Sequence, residues 1–61
     1  MSQSRCFIYN MTQNKMDFES FTLEEINTKD FYNNIIKTTQ WTQGDKLFII
    51  NMNNNIIKAL N

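Results

Sequence analysis

The sequence of 61 residues predicts an α+β fold in which four antiparallel strands form one sheet and a single helix packs on one face. Two observations support this prediction. Short apolar runs occur in two pairs, one near each end of the chain, and a helix-capping pattern lies between the pairs. The element order is therefore β-β-α-β-β, and residues 1–61 form one small domain because a chain of this length holds one core at most.

The first two strands are expected at residues 5–11 and 16–20. The first strand is a short run of aromatic and β-branched residues bounded by polar ones. Residues 12–15 form the turn, in which Asn14 tolerates the left-handed conformation. The second run alternates, with Met16 and Phe18 on one face and Asp17 and Glu19 on the other, which is typical of a half-buried edge strand.

The helix is expected to begin at Thr22. Thr22 and Glu25 have the spacing of a capping box, in which each side chain accepts a hydrogen bond from the backbone N–H of the other residue. Phe21 and Ile26 flank this box at the positions of a hydrophobic staple. The pattern therefore predicts the first turn of a helix.

The apolar pattern changes phase along this helix, which indicates a break near Asn27 and Thr28. Both residue types are poor in helix interiors and good at caps. The second segment then has one packing face, formed by Phe31, Tyr32, Ile35, Ile36 and Thr39. One unbroken helix, with Leu23 and Ile26 packed elsewhere, is the alternative, and in either case the helix should end by Trp41.

The last two strands are expected at residues 46–52 and 56–60, with residues 53–55 as the turn. Short hairpins make each pair antiparallel, and the helix returns the chain so that the third strand lies beside the first. The expected sheet order is 2-1-3-4.

The two central strands contain runs, residues 6–9 and 47–50, that are apolar on both alternating faces. One helix covers one face of the sheet, so the other face needs separate cover. The candidates are the chain's own loops together with the 23–26 turn, a second copy in a symmetric dimer, or a different protein.

The composition excludes several classes of function. Six basic and six acidic residues give a formal net charge of zero and are scattered, whereas a nucleic-acid binder usually has a basic stripe. The chain has no histidine, one glycine and one cysteine. Histidine-based catalytic sites, glycine-rich phosphate loops and intrachain disulfides are therefore absent. We expect no enzyme activity, no catalytic residue, no cofactor and no metal ligand.

Compartment and thiol chemistry follow from the same residues. No apolar run approaches the length of a membrane span, and no signal peptide is present, so we expect a cytoplasmic protein without a membrane partner. Cys6 lies between apolar neighbours in a strand, and we interpret it as a small buried hydrophobic residue.

Four aromatic residues each have two interpretations. Phe7 and Tyr9 lie on one face of a central strand, and Phe48 lies on its expected neighbour. They either pack under the helix, which we favour, or stack unpaired bases of a single-stranded nucleic acid. Trp41 either anchors a protein interface or closes the end of the core.

The sequence therefore favours a small non-enzymatic protein-binding module. A tiny chain with residue usage typical of an AT-rich genome suits a phage or mobile-element inhibitor of a host protein complex, of anti-CRISPR type, acting in the host cytoplasm. The expected contact residues are Cys6, Ile8, Leu47, Ile49 and Trp41. The alternatives are a single-stranded nucleic-acid-binding module that uses the three sheet aromatics, and a structural homo-oligomer subunit such as a homodimer.

Overall fold

In the computed structural model, residues 5–60 are described and form a four-stranded antiparallel sheet with two short helices. The elements in chain order are β1 Cys6–Asn10, β2 Lys15–Phe21, α1 Leu23–Ile26, α2 Phe31–Thr39, β3 Leu47–Ile50 and β4 Ile56–Ala59. The strand order is β2-β1-β3-β4, which confirms the predicted fold class and sheet order. Residues 1–4 and 61, which the predicted domain includes, lie outside the described residues.

The helical region is broken where the sequence predicted. The capping box is formed: the Glu25 N–H donates to Thr22 Oγ1 at 3.2 Å, and the Thr22 N–H donates to Glu25 Oε1 at 2.8 Å. Helix α1 ends at Ile26, with Asn27 as its C-cap. Asp30 occupies the N-cap position of α2 without a side-chain capping bond. The alternative of one unbroken helix is therefore wrong.

The turns use left-handed backbone at asparagine and glutamine. Asn14 has φ of 56°, as predicted for the turn between β1 and β2. Helix α2 ends at Thr39 and Gln40 follows with φ of 62°, so the helix stops before residue 41 as expected. Asn54 has φ of 67° in the predicted 53–55 turn, and the Asn51 side-chain oxygen accepts two backbone N–H groups of that turn.

Both helices pack on the same face of the sheet. The buried apolar cluster consists of Cys6, Ile8, Ile26, Phe31, Ile35, Leu47 and Ile49. Phe21 packs edge-to-face on Phe31, with ring centroids 5.1 Å apart and an interplanar angle of 85°. Because Ile26 belongs to this cluster, α1 lies on the same side as α2. The suggestion that the 23–26 turn covers the opposite sheet face is therefore wrong.

A polar cluster closes one end of this core. Asp45 is buried, and its Oδ2 atom accepts hydrogen bonds from Asn10 Nδ2 at 2.9 Å, Gln13 Nε2 at 2.7 Å and the Thr42 N–H at 3.2 Å. The Tyr32 hydroxyl donates to the Asp45 carbonyl at 3.1 Å. The bond from the Asn10 amide is the main reason that the pKa of Asp45 lies below its ordinary value of 3.8, although burial acts in the opposite direction. The cluster joins β1, the following turn and the loop before β3.

Candidate functional site

The sheet face opposite the helices is apolar, and neither helix covers it. We call it the open face and define it by two residues on each strand: Phe7, Tyr9, Met16, Phe18, Phe48, Ile50, Ile56 and Ala59. On β1, β2 and β3 these positions follow from alternation, because successive side chains of a strand point to opposite faces. On β4 they are the direct partners of Phe48 and Ile50, with a register shift between the two pairs. All eight residues are uncharged.

The open face consists of two rows that cross the sheet. The first row is Met16, Tyr9, Phe48 and Ala59, which are direct cross-strand neighbours in that order. The second row is Phe18, Phe7, Ile50 and Ile56, in which Ile50 is the direct partner of both Phe7 and Ile56. The aromatic pair of Tyr9 and Phe48 is therefore at the centre of the sheet, where cross-strand aromatic contacts stabilise strand pairing. The Tyr9 hydroxyl donates to Asn14 Oδ1 in the turn beside it.

Large apolar side chains on and beside the open face reach solvent. Phe18 is 85% exposed and Ile56 is 63% exposed, and Met52, directly after β3, is 68% exposed. A shallow depression of about 190 Å³ lies between Phe18 and Met52, and its other lining residues are Phe7, Met16, Ile50 and two loop residues, Asn51 and Asn54. Contiguous exposed apolar surface of this kind marks interaction sites in proteins.

Charge is distributed unequally between the two faces. Asp17 and Glu19 occupy the β2 positions that alternate with Met16 and Phe18. The other four acidic residues of the chain belong to the helices or to the polar cluster under them. By contrast, Arg5 directly precedes β1 and Lys46 directly precedes β3, at positions that alternation along these strands assigns to the open face. The open face therefore has an apolar centre, a cation at each end and no acidic residue.

Both edges of the sheet are protected against pairing with another strand. On β2, the Glu19 N–H donates to the Asp17 carboxylate at 3.2 Å, and Arg5 Nη2 donates to the Ser20 carbonyl at 2.9 Å. Strand β4 has only four residues, its register shifts beside Ile50, and it contains Lys58. Charged side chains, short length and bulges are the devices that prevent edge-to-edge association. Contact through the face is therefore favoured over extension of the sheet.

The structure places the expected protein-contact residues in the core rather than on a surface. Cys6, Ile8, Leu47 and Ile49 are at most 2% exposed beneath the helices. Trp41 is half-buried against the same cluster. This corrects the choice of face, since these four strand residues offer no surface for a partner. Cys6 is a buried free thiol, as the sequence indicated.

The aromatic residues proposed for base stacking do not lie under the helices, which is where we expected them to pack. Phe7, Tyr9 and Phe48 lie together on the open face and are half-buried by their neighbours. Our preference for packing them under the helix is therefore wrong. The physical reason is that both faces of β1 and β3 are apolar, so the sequence pattern does not state which face the helices cover.

Sequence reasoning missed five members of the open face, which are Met16, Phe18, Ile50, Ile56 and Ala59. A usable signal existed for the two on β2. The four-residue turn makes Asn10 the partner of Lys15, and this register places Met16 beside Tyr9. The alternation of β2 then puts Phe18 on the same face as the two aromatic residues of β1.

A second depression, of about 300 Å³, lies between β2 and the helices on the covered side. Its walls include Glu19 and Glu25, with Phe21, Phe31 and Ile35 contributing apolar surface. The Glu25 carboxylate already accepts the Thr22 N–H, and this bond is the main reason that its pKa lies below the ordinary value of 4.5. We assign Glu25 a capping role. Within residues 5–60, no three histidine, cysteine or acidic side chains come together as metal ligands would.

Comparison with known proteins gives no assignment: no family model matches the chain, and no curated protein or solved structure shows significant similarity to it. Among residues 5–60, neither helix has the length and apolar character required to cross a bilayer.

Proposed function

We propose that the chain is a small non-enzymatic module that binds another protein through the open face. The observation that best supports this proposal is the 85% exposure of Phe18 within an uncharged, eight-residue sheet surface. Monomeric proteins rarely expose contiguous apolar patches larger than a few hundred Å². Aromatic residues and methionine are also enriched in protein interfaces.

The apolar and charged residues of the open face indicate what kind of surface its partner has. An apolar centre with Arg5 and Lys46 at its two ends complements an apolar patch with acidic groups near its rim. Phe18 and Met52 border the shallow depression, which offers a place for one apolar side chain of the partner. The flexible methionine side chains allow the depression to adjust to that side chain.

A module of this kind acts by occupying a surface. Within residues 5–60 no three histidine, cysteine or acidic side chains are grouped as metal ligands would be, and the carboxylates with altered pKa values are engaged in a capping box and in the buried polar cluster. The activity we propose is inhibition of a larger host complex. The module would cover a surface that the complex needs for its function, as mobile-element inhibitors of anti-CRISPR type do.

The test compares two single-residue variants that differ in the face they change. Phe18→Glu places a charge on the open face, whereas Leu23→Glu does the same at a 49% exposed apolar residue on the helix side. We expect the original chain and the Leu23→Glu variant to capture a stoichiometric partner from a lysate of the source cells. The Phe18→Glu variant should not capture it. Equal capture by all three proteins would contradict the proposal.

A second candidate function is binding of single-stranded nucleic acid. It is favoured by one observation: Phe7, Tyr9 and Phe48 lie together on an open sheet face, as stacking aromatics do in nucleic-acid-binding sheets. The aliphatic residues of the face and its two isolated cations weigh against it.

Fluorescence anisotropy with labelled oligo-dT and oligo-U at low salt distinguishes the two functions. Base stacking predicts a rise in anisotropy that Phe48→Ala reduces and that salt weakens. A protein-binding module predicts no rise at protein concentrations at which partner capture is complete.

A further inference from the structure

We propose that, in the absence of its partner, the open face is covered by a second copy of the chain in a two-fold face-to-face dimer. This inference rests on the proposed function, because it concerns the same face. It adds a mode of regulation, in which self-association masks the binding surface until a partner competes for it.

The arrangement of the two rows supports self-association. A two-fold axis that runs along the strands between β1 and β3 lays β1 of one copy over β3 of the other, and β2 over β4. In the first row Tyr9 then opposes Phe48, and the long Met16 opposes the small Ala59. In the second row, Phe7 opposes Ile50 and Phe18 opposes Ile56. Every opposed pair is apolar.

The shape and charge of the sheet agree with this arrangement. Two copies carry the same right-handed twist, and sheets with the same twist pack face to face at about −30° with a separation of about 10 Å. All acidic residues are away from the face, and Arg5 and Lys46 lie at opposite ends of it.

The exposed apolar area on and beside the open face is consistent with a weak dimer. Phe18, Met52 and Ile56 together expose on the order of 400 Å² of side chain, given that a large aromatic side chain buries roughly 150–250 Å². The half-exposed residues of the face add to this area, toward the roughly 800 Å² per partner of a standard interface. Both sheet edges are protected, so association by pairing of edge strands is disfavoured.

The oligomeric state is the first test. Light scattering and sedimentation over low to high micromolar concentration should give twice the 7.3 kDa chain mass at high concentration and a shift toward the monomer on dilution. We expect Phe18→Glu to be monomeric throughout, and the helix-side variant Leu23→Glu to retain the dimer. A chain that is monomeric at high micromolar concentration, or a dimer that Phe18→Glu does not disturb, would overturn the inference.

Engineered cysteines test the arrangement itself. Met16 and Ala59 are three strand spacings apart within one chain, about 14 Å, which is too far for a disulfide. In the proposed dimer they face each other across the two copies. The two sheets are about 10 Å apart, which is also too far for a direct disulfide but within reach of a short bis-maleimide cross-linker. The double variant Met16→Cys with Ala59→Cys should therefore form a covalent dimer with this reagent, and each single variant should not. Cross-linking by Met16→Cys alone would place β2 over β2 and overturn the arrangement.

These outcomes are separable from those of the proposed function. A monomeric chain whose partner capture is still lost with Phe18→Glu removes the dimer and leaves the protein-binding function supported. If the original chain is a dimer and its Phe18→Glu variant captures the same partners, binding of a partner through the open face is contradicted and self-association remains supported.

Discussion

The carboxamide of Asn10 donates a hydrogen bond of 2.9 Å to the carboxylate of Asp45, and both side chains are buried at the end of the core. Asn10 also accepts the Gln13 N–H at 2.9 Å, so one amide joins β1, its turn and the loop before β3. A buried amide on the core face of a central strand interrupts an otherwise apolar row. It is retained because its polar atoms have partners, as the buried side-chain polar atoms of residues 5–60 do.

The first prediction concerns this amide. Asn10→Ala leaves the Gln13 N–H and the Asp45 carboxylate short of a buried partner, and the loss of partners is more costly than the bonds themselves. We expect the melting temperature to fall by on the order of 10 °C. Thermal denaturation followed by circular dichroism measures this, with the exposed helix residue variant Asn33→Ala as control. Equal melting temperatures for the two variants would contradict the assigned role.

The second prediction concerns acid stability. The folded pKa of Asp45 lies below its unfolded value of about 3.8, so its contribution to stability is present above that pH and is lost as the pH falls through and below it. We expect Asp45→Asn to be less stable than the original chain at neutral pH and to lose less stability on acidification. The variant still loses some stability on acidification, because the pKa of Glu25 also lies below its ordinary value. Urea denaturation between pH 7 and acid conditions checks this, and parallel curves for both proteins would refute it.

The third prediction concerns the capping box. Thr22→Ala removes the acceptor of the Glu25 N–H at the first turn of a four-residue helix. We expect the free energy of unfolding to fall by about 1 kcal/mol. Glu24→Gln, a neighbouring change outside the box, should alter it by less than about 0.5 kcal/mol. Chemical denaturation of both variants gives the comparison, and a neutral Thr22→Ala would show that the box does not contribute.

The fourth prediction separates the two sheet faces. Ile49 is fully buried under the helices, and Ile49→Ala should cost about 2–5 kcal/mol. That is comparable with the total stability of a core of this size, about 3–5 kcal/mol, so most molecules should be unfolded. Phe18→Ala, measured at low protein concentration, should change stability by less than about 0.5 kcal/mol. Circular dichroism distinguishes them, and the reverse order would mean that the helices cover the other face.

The fifth prediction concerns two left-handed residues. Gly44 has φ of 97° with open space around its Cα, so Gly44→Ala adds backbone strain without a steric clash and should cost about 1–2 kcal/mol. Gln40, with φ of 62° at the C-cap of α2, is the opposite case. Gln40→Gly should raise stability by up to about 1 kcal/mol. Denaturant titration of both variants measures the two effects, and shifts of the same sign would count against the backbone explanation.

Local structure was predictable because its causes are local. Thr22 and Glu25 specify the start of α1 through two hydrogen bonds within four residues. Asn27 ends it at the predicted break, and Asn14 adopts the left-handed conformation expected in the first turn. Hairpin lengths then determine antiparallel pairing, and the sheet order follows because the two strands with apolar residues on both faces occupy the centre.

The candidate site was not predictable to the same extent. The sequence identified the strands of the open face but left open which face the helix covers, and we favoured packing the sheet aromatics under it. Contact was assigned to residues that form the core, namely Cys6, Ile8, Leu47 and Ile49. Asn10 and Asp45 gave no sequence signal, because residues 35 apart form a pair only through the register of β1 and the loop before β3. Phe18 was read as half-buried, since alternation reports that a strand has two faces and not which of them is covered.

The sequence by itself therefore determined the elements, their order and the fact that two central strands carry apolar residues on both faces. Only the tertiary structure decided which of the two apolar faces is the core. The choice depends on the side of the sheet to which residues 22–46 return the chain, and on the packing of Ile26, Phe31 and Ile35 there. Alternation within a strand is identical for both choices, whereas long-range packing is not, and that packing leaves Phe18 and its neighbours exposed.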